Sequence, residues 1–481
     1  MSTTRTQPKR PRARAEKPAR DLRRLWRLLL AVLAPIPALA LAASILISPY
    51  RVGAAFPEVL AGVAADPGRA QLALWFGLIF TFTVIPSTFA LAWASRRGAP
   101  WLSLVGGVLT LVGFTVGFNL PGSGAGALVT AQKGLDHSQV TAIANAIWQQ
   151  PIVTFSLVVF LAGTSVGMLI LAVGLWRSRA AARWAPIVLA VSVPLHLLGL
   201  GGTVGTAFSW ILTAVASVGV AQALIRTSDD DFDLPPLARG LDEVASTTGP
   251  TRDARSGWRI LLAVTTPWVA LYVALARYLM PYDMGDTPEA IFAGMVAHPG
   301  YESVTSWIGV LLVPTCVSGV VAVAWLSRRR SPVITTVGLL LAFTGFVALF
   351  ASDSFGSLIS QVVAAYPELD AGTAYALGSG MEMSAVSNIT GLVFVLGHLV
   401  GTVILGIALF RAHAVPSWIA IALAVSQPIH LLSVMTGNRP LDLVGWGATA
   451  LGFAAAGWVL LHTKNDDFDL PPLQSVVKVV R

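Results

Sequence analysis

The sequence contains very little cysteine and very little charge. Its 481 residues include one cysteine, Cys316, which excludes an intramolecular disulfide, a cysteine-based zinc site and an iron–sulfur cluster. Charged residues make up 12% of the chain, against roughly 25% in soluble domains. The phosphate-binding loop of ATP-driven pumps and the His-Glu-x-x-His and Gly-x-Ser-x-Gly motifs of hydrolases do not occur. The sequence therefore predicts no enzyme, no cofactor and no metal site.

Most of the sequence consists of long runs of apolar residues. Hydrophobic residues make up 55% of the chain, and the mean hydropathy is +0.72. Runs of about 20 apolar residues, the length that crosses a bilayer as a helix, recur along most of the sequence. The sequence therefore predicts an all-α polytopic integral membrane protein. Its predicted partner is the lipid bilayer.

The net charge of +8 comes from the N-terminal tail. Residues 1–27 contain ten Lys or Arg and two acidic residues, and the rest of the chain is neutral. This distribution argues against a nucleic-acid-binding surface. It predicts a cytoplasmic, positive-inside anchor, and contact of the tail with anionic lipid is compatible with that role.

The sequence is a tandem duplication. The segment Asp231-Phe-Asp-Leu-Pro-Pro-Leu237 returns as Asp467-Phe-Asp-Leu-Pro-Pro-Leu473, and Pro194-Leu-His196 returns as Pro428-Ile-His430. The offset between matching residues is 232 near the start of each half and 236 at its end. A steady offset with small insertions indicates an internal repeat.

Each half is predicted to contain six transmembrane helices, twelve in all. An even number of helices per half gives the two repeats the same orientation in the membrane. The arginine-rich turns then lie on the same side as both termini. Because positive charge is retained in the cytoplasm, this predicts cytoplasmic termini in a cell membrane. The use of Ala, Gly, Val and Arg over Lys indicates a GC-rich bacterial genome. The predicted helices are 26–47, 70–94, 101–119, 151–176, 184–200 and 205–225, then 259–280, 304–326, 333–351, 388–411, 416–435 and 441–462. The predicted divisions are a basic tail (1–25), repeat 1 (26–237), a linker (238–257), repeat 2 (258–473) and a C-terminal tail (474–481).

The four long connections, 48–69, 120–150, 281–303 and 352–387, are predicted to be external. Within them, apolar spacing over 136–150 predicts an interfacial or re-entrant helix. The six-plus-six plan is similar to that of major facilitator transporters, although the turns at Ser95-Arg96-Arg97 and Ser327-Arg328-Arg329 lack that family's acidic signature residue. No family is recognised.

The repeated acidic motif is predicted to be a cytoplasmic latch. Its two prolines cannot continue a helix, and its carboxylates follow the last helix of each half, within reach of the basic turns. The expectation is that each motif folds under its own bundle and pairs with Arg96, Arg97 or Arg177 and their copies. A docking peptide for a cytoplasmic partner is the alternative. The candidate latch residues are Asp231, Asp233, Asp467, Asp469, Arg96, Arg97, Arg328 and Arg329.

Three histidines form a candidate intramembrane polar site. His196 and His430 lie about 12 residues into matching helices, at a depth of about 18 Å, and ionisable groups at such depth usually face the protein interior. A structural hydrogen bond, a solute- or proton-binding pair and haem ligation are the three interpretations. His398 is the third histidine, and Thr164 occupies its place in the first half.

The external loops supply a second candidate site. An outward vestibule is predicted from the polar residues Asn119, Asn145, Gln149, Asp353 and Glu382, and ordinary interface polarity is the alternative.

Three functional hypotheses follow from these patterns. The first is a transporter-like protein that handles a small or amphipathic solute between the halves, for which the solute and the oligomeric state are unknown. The second is a non-transporting scaffold or accessory protein of the cell envelope. The third is a haem- or quinone-binding redox protein.

Overall fold

A computed structural model describes residues 20–199, 201–237, 253–283, 285–351 and 355–473. The predicted basic tail up to residue 19, most of the linker and the last eight residues lie outside this range. Eleven helices in the described part are long and apolar enough to cross a membrane. Together with one shorter helix they give six per half: α1 Arg23–Ile47, α2 Pro67–Ser95, α3 Pro100–Gly117, α4 Pro151–Ser178, α5 Trp184–Leu197, α6 Gly202–Arg226, α7 Ala254–Leu279, α8 Pro299–Ser327, α9 Pro332–Ala351, α10 Ala385–Ala412, α11 Ser417–Thr436 and α12 Arg439–His462. The all-helical membrane fold class is confirmed.

Helix α5 is the short member of the set, with 14 residues against 20 in its repeat copy α11. It ends at a turn in which Gly199, Gly201 and Gly202 have φ of 56°, 83° and 62°. Only glycine adopts this left-handed region without strain, so the turn ends the helix before it reaches the usual spanning length of about 17 residues or more.

Prolines break the first helix of each half at equivalent positions. Helix α1 divides after Leu33, and its second segment begins next to Pro35. Helix α7 divides after Thr265, next to Pro267. Proline removes one backbone hydrogen bond and clashes with the preceding turn, which explains why both copies bend at the same depth.

Within each half, glycines allow helices to touch through their backbones. A Cβ atom at Gly401 of α10 would lie 2.2 Å from the backbone nitrogen of Ala342 in α9. In the first half, a Cβ at Gly167 of α4 would lie 2.5 Å from the nitrogen of Thr110 in α3. Small residues at this spacing drive helix association in membranes, so each half is a tightly packed bundle.

The long connections contain helices, where the sequence analysis expected mostly loops. His137–Trp148 lies within the expected interfacial segment, while Ser123–Lys133, Phe355–Ala365 and Ala371–Glu382 were not expected. These helices bring both halves into one apolar cluster, which we call the cap. Hydrogen bonds cross it from Lys133 Nζ to the Ala376 carbonyl (3.1 Å) and to Ser379 Oγ (3.5 Å), and from the Asp370 N–H to Gln139 Oε1 (3.0 Å). We call this side of the protein the cap face.

The opposite side carries both described chain ends and the arginine turns, and we call it the basic face. Here the seam between the halves contains Trp93 and Trp325, repeat copies whose rings meet edge to face with centroids 5.4 Å apart. Trp26 Nε1 also donates across the seam to Thr336 Oγ1 at 3.1 Å. Far fewer residues meet across the seam than within either bundle.

Candidate functional site

The two acidic motifs lie on the basic face and each one contacts both halves. Arg96 donates to both carboxylate oxygens of Asp469 at 2.8 and 3.0 Å, and both side chains are buried. Arg328 makes the matching bidentate pair with Asp233 at 2.9 and 3.0 Å. These pairs join the first half to the second and the second half to the first. The expectation that each motif pairs under its own bundle is therefore wrong for Asp233 and Asp469.

The reason for the crossing lies in the two prolines that follow each acidic pair. They hold the chain extended, so it leaves its own bundle and runs along the other half. There, the Leu237 N–H donates to the Arg329 carbonyl at 2.8 Å, and the Leu473 N–H donates to the Arg97 carbonyl at 2.8 Å. We call this reciprocal arrangement of the two motifs and the two arginine turns the clasp.

Each motif also holds on to its own half. The Phe232 carbonyl accepts from Trp93 Nε1 (3.1 Å) and from Arg96 (2.7 Å). The Phe468 carbonyl accepts from Trp325 Nε1 (3.0 Å) and from Arg328 (3.0 Å). Each guanidinium also lies over the adjacent tryptophan ring, at 3.5 Å in the first half and 3.9 Å in the second, a cation–π contact that favours its charge.

The outer residues of the clasp are more exposed. Arg97 pairs with Asp231 of its own half at 2.9 Å, as the sequence analysis expected for that residue, and the carboxylate is 62% exposed. Hydrogen bonds from Ser228 and from Arg97 lower the pKa of Asp231. Burial raises the pKa of Asp233, but the charge and hydrogen bonds of Arg328 outweigh it and hold this pKa below its usual value. Asp467 lies in the short helix Asn465–Phe468.

Basic residues at the start of each half also join the clasp. Arg27 pairs with Asp229 at 2.9 Å and Arg23 with Asp230 at 2.7 Å. In the second half, Arg255 pairs with Asp466 at 2.8 Å. Arg23 and Arg27 are thus occupied within the protein, whereas Arg20 and Arg24 are exposed. The remaining basic residues of the tail lie in 1–19, outside the described residues.

A second polar assembly lies inside the second half, toward the cap face. Arg277 of α7 pairs with Asp442 Oδ2, and His430 Nδ1 lies 2.5 Å from Asp442 Oδ1. The Trp446 ring contacts the His430 ring with centroids 5.2 Å apart, and the His398 ring lies 5.8 Å from that of His430. We call these five residues the polar chain.

Three polar atoms beside the polar chain are buried and have no hydrogen-bond partner among the described residues: His398 Nε2, Gln427 Oε1 and Thr402 Oγ1. All three side chains are at most 1% exposed. His398 Nδ1 is 2.5 Å from the Phe394 carbonyl, which fixes the proton on Nδ1 and leaves Nε2 as an acceptor. A buried polar atom without a partner costs about 1–3 kcal/mol, so these three atoms lower the stability of the folded state.

The first half has a neutral version of the same region. Thr206 stands where Asp442 is in the second half, Ile45 where Arg277 is, Val193 where Gln427 is and Met168 where Thr402 is. His196 remains, with its ring 4.8 Å from that of Trp210. Two cavities of about 30 and 10 Å³ adjoin Trp210. Each holds at most about one water molecule, and neither lies between the halves.

The candidate vestibule residues are not brought together. Asn119, just past the end of α3, donates from Nδ2 to the carbonyl of Val116 in that helix at 3.2 Å. Asn145, Gln149 and Glu382 are exposed, and among the described residues we find no side-chain hydrogen bond or ion pair that joins them. Asp353 lies outside the described residues.

Asp442 and Arg277 were missed by sequence reasoning. Both lie near helix ends, in segments that are otherwise apolar, and neither belongs to a motif. The signal was present in the comparison of the two halves, since each charged residue has an uncharged copy in the first half.

No protein-family model and no curated protein sequence matches the chain. Three solved structures overlap it at low similarity, each over 93% of this chain and 97% of the other. They are a MATE protein in a bent conformation (12% identity, TM-score 0.20), a MOP superfamily transporter from Pyrococcus furiosus with a binding pocket of reverse polarity (13%, 0.20) and an outward-facing multidrug resistance MATE transporter of the MOP superfamily (13%, 0.19). Similarity at this level carries no conclusion about this chain.

Proposed function

We propose that this chain is a transporter-like protein of the cell membrane, with its basic face in the cytoplasm, that moves a small or amphipathic solute along the seam between its two halves. The clasp is the observation that carries this proposal. It closes the seam with ion pairs and short extended segments, while glycine-mediated contacts hold each bundle together internally. Two rigid bundles joined by a seam of few contacts are suited to rocking against each other.

In this proposal the described conformation is closed on both sides. The clasp closes the basic face, and the cap closes the opposite face with helices from both halves. The clasp opens by separating two ion pairs and the hydrogen bonds of the two extended segments, whereas the bundles open only by breaking close backbone contacts. Motion is therefore directed to the seam.

A distance measurement tests the rocking motion without knowledge of the solute. Cysteines replace Trp184 and Trp418, which are repeat copies on the basic face with 41% and 61% exposure, in a Cys316→Ala background. Spin labels at these sites are expected to show two distance populations in lipid, and D233N/D469N is expected to enlarge the longer one. A single distance in both proteins would refute the rocking seam. The D231N variant, which removes an exposed carboxylate of the clasp, is the matched control.

A lock on the cap face tests transport itself. A Cβ at Gly380 lies 2.4 Å from Val129 Cγ1 of the other half, so the V129C/G380C pair is placed to form a disulfide across the cap. Solutes found by thermal-shift screening are then followed into liposomes. Flux is expected to stop on oxidation and to return on reduction. Flux that persists through a fully formed disulfide would contradict movement at the seam.

The scaffold hypothesis is the second candidate, and the cap is the observation that favours it. The cap buries apolar residues of both halves, including Ile143 and Ile359, and such packing also suits a protein that never opens. That hypothesis predicts a single label distance and no flux. For the haem- or quinone-binding hypothesis, the cavities at hand are far smaller than the roughly 300 Å³ or more of a ligand pocket.

A further inference from the structure

We propose that the second half contains a buried proton-binding site, formed by His398 and His430 and governed by Asp442 and Arg277. This inference rests on the proposed function only for its role, since proton uptake can be measured in the absence of any solute. The first half is expected to bind no proton at the equivalent place.

The residues of the polar chain become more deeply buried from Arg277 inward to His398. The side chain of Arg277, near the cap-face end of α7, is 30% exposed. Asp442 and His430 behind it are 4% and 11% exposed, and His398 is 1% exposed. A proton that enters from the cap face therefore meets Asp442 and His430 before it reaches His398.

Hydrogen-bonding capacity shows why a proton fits here. Among the described residues, His398 Nε2 and Gln427 Oε1 are acceptors without donors; His196 Nδ1 in the first half also has no partner, but no carboxylate stands beside it. His398 Nε2 therefore has a free lone pair that can bind one added proton. The protonated ring also lies near the Trp446 face, with His398 and Trp446 stacked 7° from parallel and 6.0 Å apart, and an aromatic face favours a cation at this distance.

The charges around the histidines oppose each other. Asp442 from α12 favours an added positive charge, while Arg277 from α7 disfavours it. His398 from α10 and His430 from α11 repel each other if both are charged, so the pair takes up one proton. Helix α9 contributes an apolar ring, Phe346, at 6.2 Å from His398. Further outward, Arg439 of α12 donates to the carbonyls of Met280 and Tyr282, and Glu302 accepts from the Tyr282 hydroxyl at 2.6 Å. The site therefore changes from neutral to a single positive charge.

Tryptophan fluorescence reports this change, because a protonated imidazole quenches an adjacent indole. The emission of Trp446 is obtained as the difference between the full chain and its W446F variant, in detergent without solute. This difference is expected to fall reversibly as the pH is lowered, because histidine gains its charge on acidification. Trp210 is the matched control, since it contacts His196 without an acidic partner. The difference between the full chain and W210F is expected to stay flat.

Two substitutions with opposite effects sharpen the test. D442N removes the favourable charge and is expected to move the quenching step to lower pH, whereas R277Q is expected to move it to higher pH, each by about one unit or more. R277I/D442T gives the second half the residues that the first half has at these positions, which keeps a folded comparison available if D442N misfolds. It is expected to abolish the step.

A flat Trp446 difference in the folded full chain would overturn the proton site, and so would a step that survives unchanged in R277I/D442T. Quenching without solute flux would leave the proton site standing and reject the transporter proposal. Solute flux without quenching would support the transporter proposal and reject the proton site.

Discussion

Neutralising Asp469 is expected to destabilise the protein far more than neutralising Asp231, although both aspartates pair with an arginine of the same turn. Asp469 and Arg96 are 5% and 7% exposed and share two hydrogen bonds. Removing one partner of a buried pair costs about 3–5 kcal/mol, because the other charge stays buried. Arg96 keeps the Phe232 carbonyl and the Trp93 ring, so we expect D469N to cost about 3 kcal/mol, the lower end of that range.

The exposed Arg97–Asp231 pair serves as the reference against which the loss of stability in D469N is compared. Asp231 is 62% exposed, and exposed ion pairs contribute about 0–1 kcal/mol. The free energy of unfolding, measured in mixed micelles with increasing denaturing detergent, is expected to fall by at least about 2 kcal/mol more in D469N than in D231N. R96Q and R96Q/D469N complete a double-mutant cycle that isolates the pairwise energy. Equal losses in D469N and D231N, or a coupling energy near zero, would refute the clasp as an energetic element.

Three further predictions concern acid stability, helix packing and the polar chain. Since the pKa of Asp233 is lowered by Arg328 despite burial, its contribution to stability is present above the unfolded value of about 3.9 and is lost as the pH falls below it. Acid unfolding curves of D233N are therefore expected to be flatter than those of the full chain. G401A is expected to cost more than 2 kcal/mol, roughly the penalty of overpacking, whereas a Cβ at Gly391 meets nothing within 4 Å and G391A is expected to be neutral or stabilising in thermal unfolding. Q427V, which copies the first half, is expected to leave stability unchanged or raise it by about 1 kcal/mol and to impair transport. A large loss of stability would show that Gln427 serves folding.

The sequence predicts the helices better than their partners. Apolar run length and the repeat offset are sufficient for the twelve helices, because lipid requires each one to satisfy its own backbone. The sequence alone could not predict that each acidic motif binds the arginine turn of the other half. Arg96 and Arg328 lie in turns of the same Ser-Arg-Arg sequence, so either one could pair with Asp233. Only the extended Pro235-Pro236 segment and its direction choose between them. Apart from His137–Trp148, the helices of the cap were not predicted, because helices too short to span the membrane give no long apolar run in the sequence.

The distribution of difference between the halves argues for a division of labour. Asp229, which pairs with Arg27, has the uncharged copy Asn465, but the ion pairs that cross the seam are preserved in both copies, down to the tryptophan and the backbone carbonyl that each arginine contacts. A reciprocal joint requires this, since a change on one side alone would leave a buried charge unpaired on the other. The bundle interiors carry no such constraint, because each encloses its own side chains. The second half can therefore carry Arg277, Asp442 and His398 while the first keeps Ile45, Thr206 and Thr164. The duplication thus provides the two matching arginine turns and acidic motifs of the clasp, while the second bundle has been able to acquire buried charged residues.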